Sequence, residues 1–130
     1  MKAIFLDKDG TLVDDLPYNV EQDRITLCAG VGAGLRLLVR LDYRLFVVTN
    51  QAGVAHGYCS EEDVEGVAHR LTGLLARERL GLEGFYYCPH HSEGAVAKYA
   101  HECTCRKPKP GMLLQAAHDH HIDLRASWMI

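Results

Sequence analysis

No apolar run in this chain approaches the ~20 residues that a membrane-spanning helix requires. Its first residues also lack the charged, apolar and small-residue segments of a secretion signal. Both absences point to a cytoplasmic protein with no membrane partner. Positive charge is not in excess either: 14 Lys and Arg stand against 17 Asp and Glu, a formal net charge of −3 with the histidines neutral. The chain therefore has no basic footprint for a nucleic-acid backbone. Five cysteines without a secretion signal argue against a disulfide framework. In a reducing compartment, clustered cysteines more often bind metal or do redox chemistry. Repeats, low-complexity tracts and linkers are absent, so residues 1–130 read as one domain, long enough to bury about 65–70% of its unfolded surface. Oligomeric state leaves no trace in the sequence.

What is present is an alternation of short apolar runs with helical periods, the pattern of a parallel sheet with helices on both faces. Ala3–Leu6 reads as a strand buried on both faces. Two aspartates, Asp7 and Asp9, follow at its carboxyl end, where open α/β sheets bind ligands, and Gly10-Thr11 lets the chain turn. Residues 13–30 read as an irregular flap over that end of the sheet, its acids more often solvated than ligating. A helix is predicted over Val31–Leu41, then a second buried strand over Arg44–Val48 that runs into Thr49-Asn50-Gln51. Ser60 with Asp63 resembles a helix-start signal. The helix it opens is predicted over Glu61–Leu80, with Val64, Val67, Ala68, Leu71, Leu74 and Leu75 on one face. Phe85–Tyr87 reads as a third strand, Met112–His121 as a last helix, and Ser127–Ile130 as the opening of a fourth strand.

The residues at successive strand ends match what phosphoryl transfer needs: a nucleophile, an acid, and donors or positive charge around the phosphoryl oxygens. Asp7 fits the nucleophile and Asp9 the acid that protonates the leaving group and then activates water. Thr49 and the Asn50 backbone fit the donors. Lys107 fits the neutralising charge, and Arg106 beside it can grip a second anionic group through its planar fork. Separately, Cys88-Pro89-His90 and Cys103-Thr104-Cys105 bring three sulfurs and one imidazole, a set suited to tetrahedral Zn²⁺ with no open position for substrate. Such a structural ion would order the polar loop 88–105 and fix the backbone just before Arg106 and Lys107. His91 competes with His90 as the nitrogen ligand, and His101 is a weaker candidate. Cys28 and Cys59 read as ordinary apolar residues.

The string Asp7-Lys8-Asp9-Gly10-Thr11 resembles the first motif of the haloacid dehalogenase superfamily. Thr49 after its strand and the lysine of Arg106-Lys107-Pro108 match that superfamily's second and third motifs. The zinc loop followed by Arg-Lys-Pro resembles one subfamily, which contains the D-glycero-D-manno-heptose 1,7-bisphosphate 7-phosphatases and the histidinol-phosphate phosphatases. Three stretches resemble the heptose branch: Thr49 to Gly57, the long loop opening Cys88-Pro89-His90-His91, and Pro110-Gly111-Met112. The resemblance favours His90 over His91. It implies a Rossmann-like three-layer sandwich without a large cap domain, and Mg²⁺-dependent removal of the C7 phosphate of a heptose bisphosphate through an aspartyl-phosphate, on the route to lipopolysaccharide precursors. Asp7 and Asp9 would hold the Mg²⁺, and a phosphorylated sugar would be the small-molecule partner. A histidinol-phosphate phosphatase and a zinc-stabilised phosphate-binding module with impaired catalysis are the alternatives. One departure stands out. The acids that follow the fourth strand in the family are absent, so the resemblance implies a C-terminal part missing from this sequence, weakened Mg²⁺ binding and low turnover.

Overall fold

The computed structural model describes residues 1–130. Four strands, β1 (Lys2–Leu6), β2 (Tyr43–Asn50), β3 (Leu82–Cys88) and β4 (Trp128–Met129), pair in the order β3-β2-β1-β4. Every pairing is parallel, Ile4 lying opposite Leu45 and Trp128 on its two sides. Three helices fill the connections: α1 (Val31–Arg40), α2 (Glu61–Arg77) and α3 (Gly111–His120). None of them is long and apolar enough to cross a membrane.

Strand alternation sorts the core into two layers. Ile4, Leu6, Leu45 and Val47 point to one face and pack with Leu35 of α1 and Val67, Leu71 and Leu75 of α2. Ala3, Phe5, Phe46 and Val48 point to the other and pack with Met112 and Ala116 of α3. Successive strand residues face opposite sides of a sheet, so both layers follow from one set of apolar runs. The result is the expected three-layer sandwich with helices on both faces.

Several boundaries move for local reasons. Helix α2 stops at Arg77 instead of Leu80 because the chain closes a Schellman motif: the Arg79 N–H donates to Ala76 O at 3.0 Å and the Leu80 N–H to Leu75 O at 2.9 Å. Arg79 takes the left-handed φ of 61° that glycine usually supplies there. The start of α2 is as predicted, a reciprocal capping box between Ser60 and Asp63. Strand β3 begins at Leu82, earlier than Phe85, through an irregularity in which Leu82 faces Leu45 and Gly84 faces Phe46. A Cβ on Gly84 would come within 3.0 Å of the Phe46 ring, so only glycine fits there without displacing it. Strand β2 continues past Val48 to include Thr49 and Asn50, which lengthens the paired register toward the functional edge. The last strand is short, and Trp128, Met129 and Ile130 remain 66%, 44% and 52% exposed.

Because the sheet is parallel, the carboxyl ends of β1, β2 and β3 lie along one edge, and Asp7, Gln51 and Pro89 leave it together. The Gln51 N–H donates to Cys88 O at 2.8 Å, and the Asp7 N–H to Ile130 O at 2.8 Å, carrying the ladder up to that edge. Leu71 is fully buried at the centre of the α2 face. Leu71→Ala is expected to destabilise the fold by ~2–5 kcal/mol, whereas Leu37→Ala, at a residue 59% exposed, is expected to change it by less than ~0.5 kcal/mol. Urea unfolding followed by circular dichroism measures both.

Candidate active site and metal centre

Asp7 is the first residue past β1, and its carboxylate meets a lysine from the far end of the sequence. The Lys107 ammonium lies 2.8 Å from Asp7 Oδ1 and also donates to the Val48 carbonyl at 3.0 Å. The Lys8 N–H donates to the same Oδ1 at 2.9 Å. Asn50 holds Lys107 in place: its Oδ1 accepts from the Lys107 N–H at 2.9 Å, and its Nδ2 donates to the Lys107 carbonyl at 3.3 Å. The sequence suggests a backbone donor at Asn50. The structure adds a side-chain clamp that sets where the lysine sits. Thr49 is buried, and its hydroxyl accepts from Gln51 Nε2 at 3.0 Å.

Asp9 sits one turn further on. Its Oδ1 pairs with the Lys8 ammonium at 2.7 Å, and the Lys8 side chain is only 3% exposed. Sequence reasoning passed over Lys8. The available signal was a lysine flanked by two acids at a strand end. The Lys8 carbonyl accepts from the N–H groups of Thr11, Leu12 and Val13 at 3.3, 3.0 and 3.1 Å, which tightens the turn that carries Asp9. Asp9 and Arg106 share the wall of a cavity of about 420 Å³, closed on another side by residues 15–20 and by 50–53. Of the flap expected over residues 13–30, residues 15–20 line this cavity, while Val13 and Ile25 are buried in the core beside α1 and α2. Cys59, expected as an ordinary apolar residue, also lines this cavity. Burial, and then Asp63, push its thiol up, with Lys8 opposing.

The second constellation lies behind Arg106. The ligand atoms of Cys88, His90, Cys103 and Cys105 all fall within 4.8 Å of one another. Cys103 Sγ is 3.5 Å from Cys88 Sγ and 3.4 Å from Cys105 Sγ, and His90 Nδ1 is 3.3 Å from Cys105 Sγ. Sulfurs bound to zinc at ~2.3 Å stand roughly 3.8 Å apart in a tetrahedron. These spacings are close to that geometry except for the Cys88–Cys105 pair at 2.6 Å, which an ion would have to part. Burial pushes the Cys103 thiol up, but the Arg106 N–H and the neighbouring Cys105 and Cys88 thiols outweigh it and bring it down to about 6. Burial, then the Cys88 and Cys103 thiols, push Cys105 up. A metal bound in this group would displace its thiol protons.

His91 is not in this group. It accepts from the Glu93 N–H at 3.0 Å and packs against His56, with ring centroids 4.9 Å apart. The His101 ring lies beside that of His90, with centroids 4.4 Å apart and planes tilted by 40°. Cys28 lies apart, beside Asp14 at 3.7 Å.

A further tie was not legible in the sequence. Glu61, the first residue of α2, accepts from the Tyr87 hydroxyl at 2.9 Å and the Tyr99 hydroxyl at 2.7 Å, one on each carboxylate oxygen. It joins the metal loop to α2 and β3. These hydrogen bonds, Tyr99 first and Tyr87 second, hold the Glu61 carboxyl below its ordinary value.

No family model matches the chain. The D-glycero-beta-D-manno-heptose-1,7-bisphosphate 7-phosphatase of Haemophilus influenzae is 47% identical over 129 residues, covering 99% of this chain and 70% of the relative. Among solved structures, a Mesorhizobium loti protein assigned as a HAD-like phosphatase superposes with a TM-score of 0.92 at 31% identity over 99% of this chain. The D,D-heptose 1,7-bisphosphate phosphatase of B. bronchiseptica, complexed with magnesium and phosphate, gives 0.78 at 28% identity over 95%. The chain spans 62% and 66% of the lengths of those two structures.

The Glu61 tie makes a pH prediction. A carboxyl held below its ordinary value contributes stability that is complete above the unfolded value, near 4.5, and is lost as pH falls through the lower folded value. Amide protection around Tyr99, taken relative to the intrinsic exchange rate at each pH, is therefore expected to hold from neutral pH down to that ordinary value and to fall only below it. Glu61→Ala is expected to make exchange there fast at neutral pH.

Proposed function

The chain belongs to the family of the D-glycero-D-manno-heptose-1,7-bisphosphate 7-phosphatases, and we propose that it carries the nucleophile, acid and charge-neutralising lysine of that activity, acting on a heptose bisphosphate in the cytoplasm. The observation that carries this reading is the Lys107 ammonium at 2.8 Å from Asp7 Oδ1, a contact across 100 residues of sequence.

In the proposed reaction the Asp7 carboxylate attacks the C7 phosphorus and the bond from phosphorus to the sugar oxygen breaks. Asp9 delivers a proton to that departing oxygen. Asp9 then takes a proton from water, whose oxygen attacks the same phosphorus, freeing Asp7 and inorganic phosphate. Lys107 offsets the charge on the phosphoryl oxygens, Thr49 and the Asn50 backbone supply donors at its rim, and Arg106 meets the remote phosphate or the sugar. The Lys8 ammonium has to release or share the Asp9 carboxyl as the proton moves.

Two metal ions fit this reading. Mg²⁺ takes hard oxygen ligands and keeps several waters. The Asp7 carboxylate, with the Asp9 main-chain carbonyl that accepts no backbone hydrogen bond, offers oxygens of that kind. Bound there, Mg²⁺ would neutralise charge on the phosphoryl oxygens. The three sulfurs and one imidazole of Cys88, Cys103, Cys105 and His90 suit Zn²⁺ in a closed structural site. From there the ion would hold the backbone leading into Arg106 and Lys107 without touching substrate.

Phosphate release from D-glycero-D-manno-heptose 1,7-bisphosphate is expected to exceed release from histidinol phosphate by at least about tenfold, and Asp7→Asn to lower it by on the order of 10³-fold or more. Faster turnover of histidinol phosphate would reassign the substrate. No BeF₃⁻ adduct on Asp7 by ¹⁹F NMR would favour a phosphate binder. The metal centre has its own test. One zinc per chain is expected by elemental analysis, with Cys105→Ser losing it. Chelation is expected to loosen the 88–105 loop, read as faster proteolysis after Lys98.

A further inference from the structure

The cavity beside Asp9 has one wall that the roles above leave unused. Residues Leu16 to Asn19 form a β-turn, the Asn19 N–H donating to Leu16 O at 3.1 Å. Pro17 stands second, where its fixed φ suits the turn. Tyr18 stands third with φ of 51°, a left-handed conformation that glycine or asparagine normally occupies. A bulky side chain there is unfavourable, and nothing in the core rewards it, because Tyr18 is 55% exposed. Its ring instead lies along the cavity that Asp9 and Arg106 line.

The ring is also held in place. It lies over Gly53, where a Cβ would come within 3.2 Å of Tyr18 Cδ1. Tyr58 flanks it at 63° with ring centroids 4.8 Å apart, and His56 at 80° and 6.0 Å. A strained backbone, a glycine beneath and two aromatic neighbours all serve to present one exposed ring at the mouth of a small-molecule cavity. Residues kept in unfavourable backbone conformations by their surroundings cluster at ligand sites.

We propose that Tyr18 is a specificity-determining residue, its ring the platform on which the sugar body of a phosphorylated pyranose rests. The inference builds on the phosphatase reading and deepens it. A phosphate at Asp7 places the rest of the substrate past Asp9 and across this wall, toward Arg106. The face of an aromatic ring is electron-rich, and the C–H bonds of a pyranose present the weakly positive surface that complements it. Inorganic phosphate reaches no such surface.

The test compares two ligands in an Asp7→Asn background, which keeps the ester intact: D-glycero-D-manno-heptose 1,7-bisphosphate and inorganic phosphate, each with Mg²⁺. Calorimetry gives the affinities and ¹H–¹³C NMR follows the tyrosine rings. The heptose bisphosphate is expected to shift the Tyr18 ring signals, and phosphate to leave them in place. Tyr18→Gly is expected to weaken heptose bisphosphate binding by about tenfold or more while changing phosphate binding by less than about twofold. Glycine suits the turn, so misfolding would not explain that loss. Tyr18→Phe and Tyr18→Trp are expected to retain binding. Equal affinities before and after Tyr18→Gly would overturn the platform, as would a loss in Tyr18→Phe as large as in Tyr18→Gly. Failure of phosphate to bind, with Mg²⁺, the chain in which both Asp7 and Tyr18 are unchanged would overturn the phosphatase reading along with it.

Discussion

A cation and a carboxylate from opposite ends of the chain, Lys107 and Asp7, meet 2.8 Å apart at the carboxyl edge of the sheet, and much of the surrounding structure serves to keep them there. The Val48 carbonyl takes a second bond from the ammonium, and the Asn50 amide grips the lysine backbone from both sides. Behind it, Cys103 and Cys105 tie the preceding residues to Cys88, which is itself fully buried at the end of β3. A long flexible side chain is a poor positioning device by itself, since its rotamer freedom must be given up to hold one geometry. Fixing the backbone on both sides of Lys107 reduces how much freedom remains to be lost.

Legibility in the sequence followed the range of the interaction. Asp7 and Asp9 could be read because their meaning is local, two acids at the end of an apolar run. The grouping of Cys88, His90, Cys103 and Cys105 could be read because sulfur and imidazole in close pairs have few other uses. The choice between His90 and His91 had no local signal and rested on resemblance. The structure separates them, with His90 among the sulfurs and His91 turned to Glu93 and His56. The Asn50 clamp and the Glu61 link to Tyr87 and Tyr99 join residues far apart in sequence through single side-chain bonds, which leave no periodic trace. Lys8 escaped for the opposite reason. A lysine between two acids reads as solvated, and only the packing of the turn shows it buried.

The two cores also divide the tasks. The face covered by α1 and α2 is built almost wholly of branched aliphatic side chains from β1, β2, α1, α2 and the segments that join them. The face covered by α3 contains Cys88 and is flanked by Cys103 and Cys105, so the cysteine and histidine cluster is continuous with the interior on that side. An ion there would stabilise the loop and the packing of α3 together. This is how a polar loop with little apolar surface of its own can be anchored firmly enough to place Arg106 and Lys107.

A parallel sheet gives every strand a working end and an idle end. In this chain the idle end is a rim of surface pairs, Arg44 with Glu83 at 2.7 Å and Lys2 over the Tyr43 ring at 4.3 Å. Nothing placed there touches the acids, the lysine or the sulfurs. Side chains on that rim can therefore be exchanged with little effect on the other edge, so long as the strands still pair. The same rim is where a tag, a label or a tether could be added with the least disturbance to the other end of the molecule.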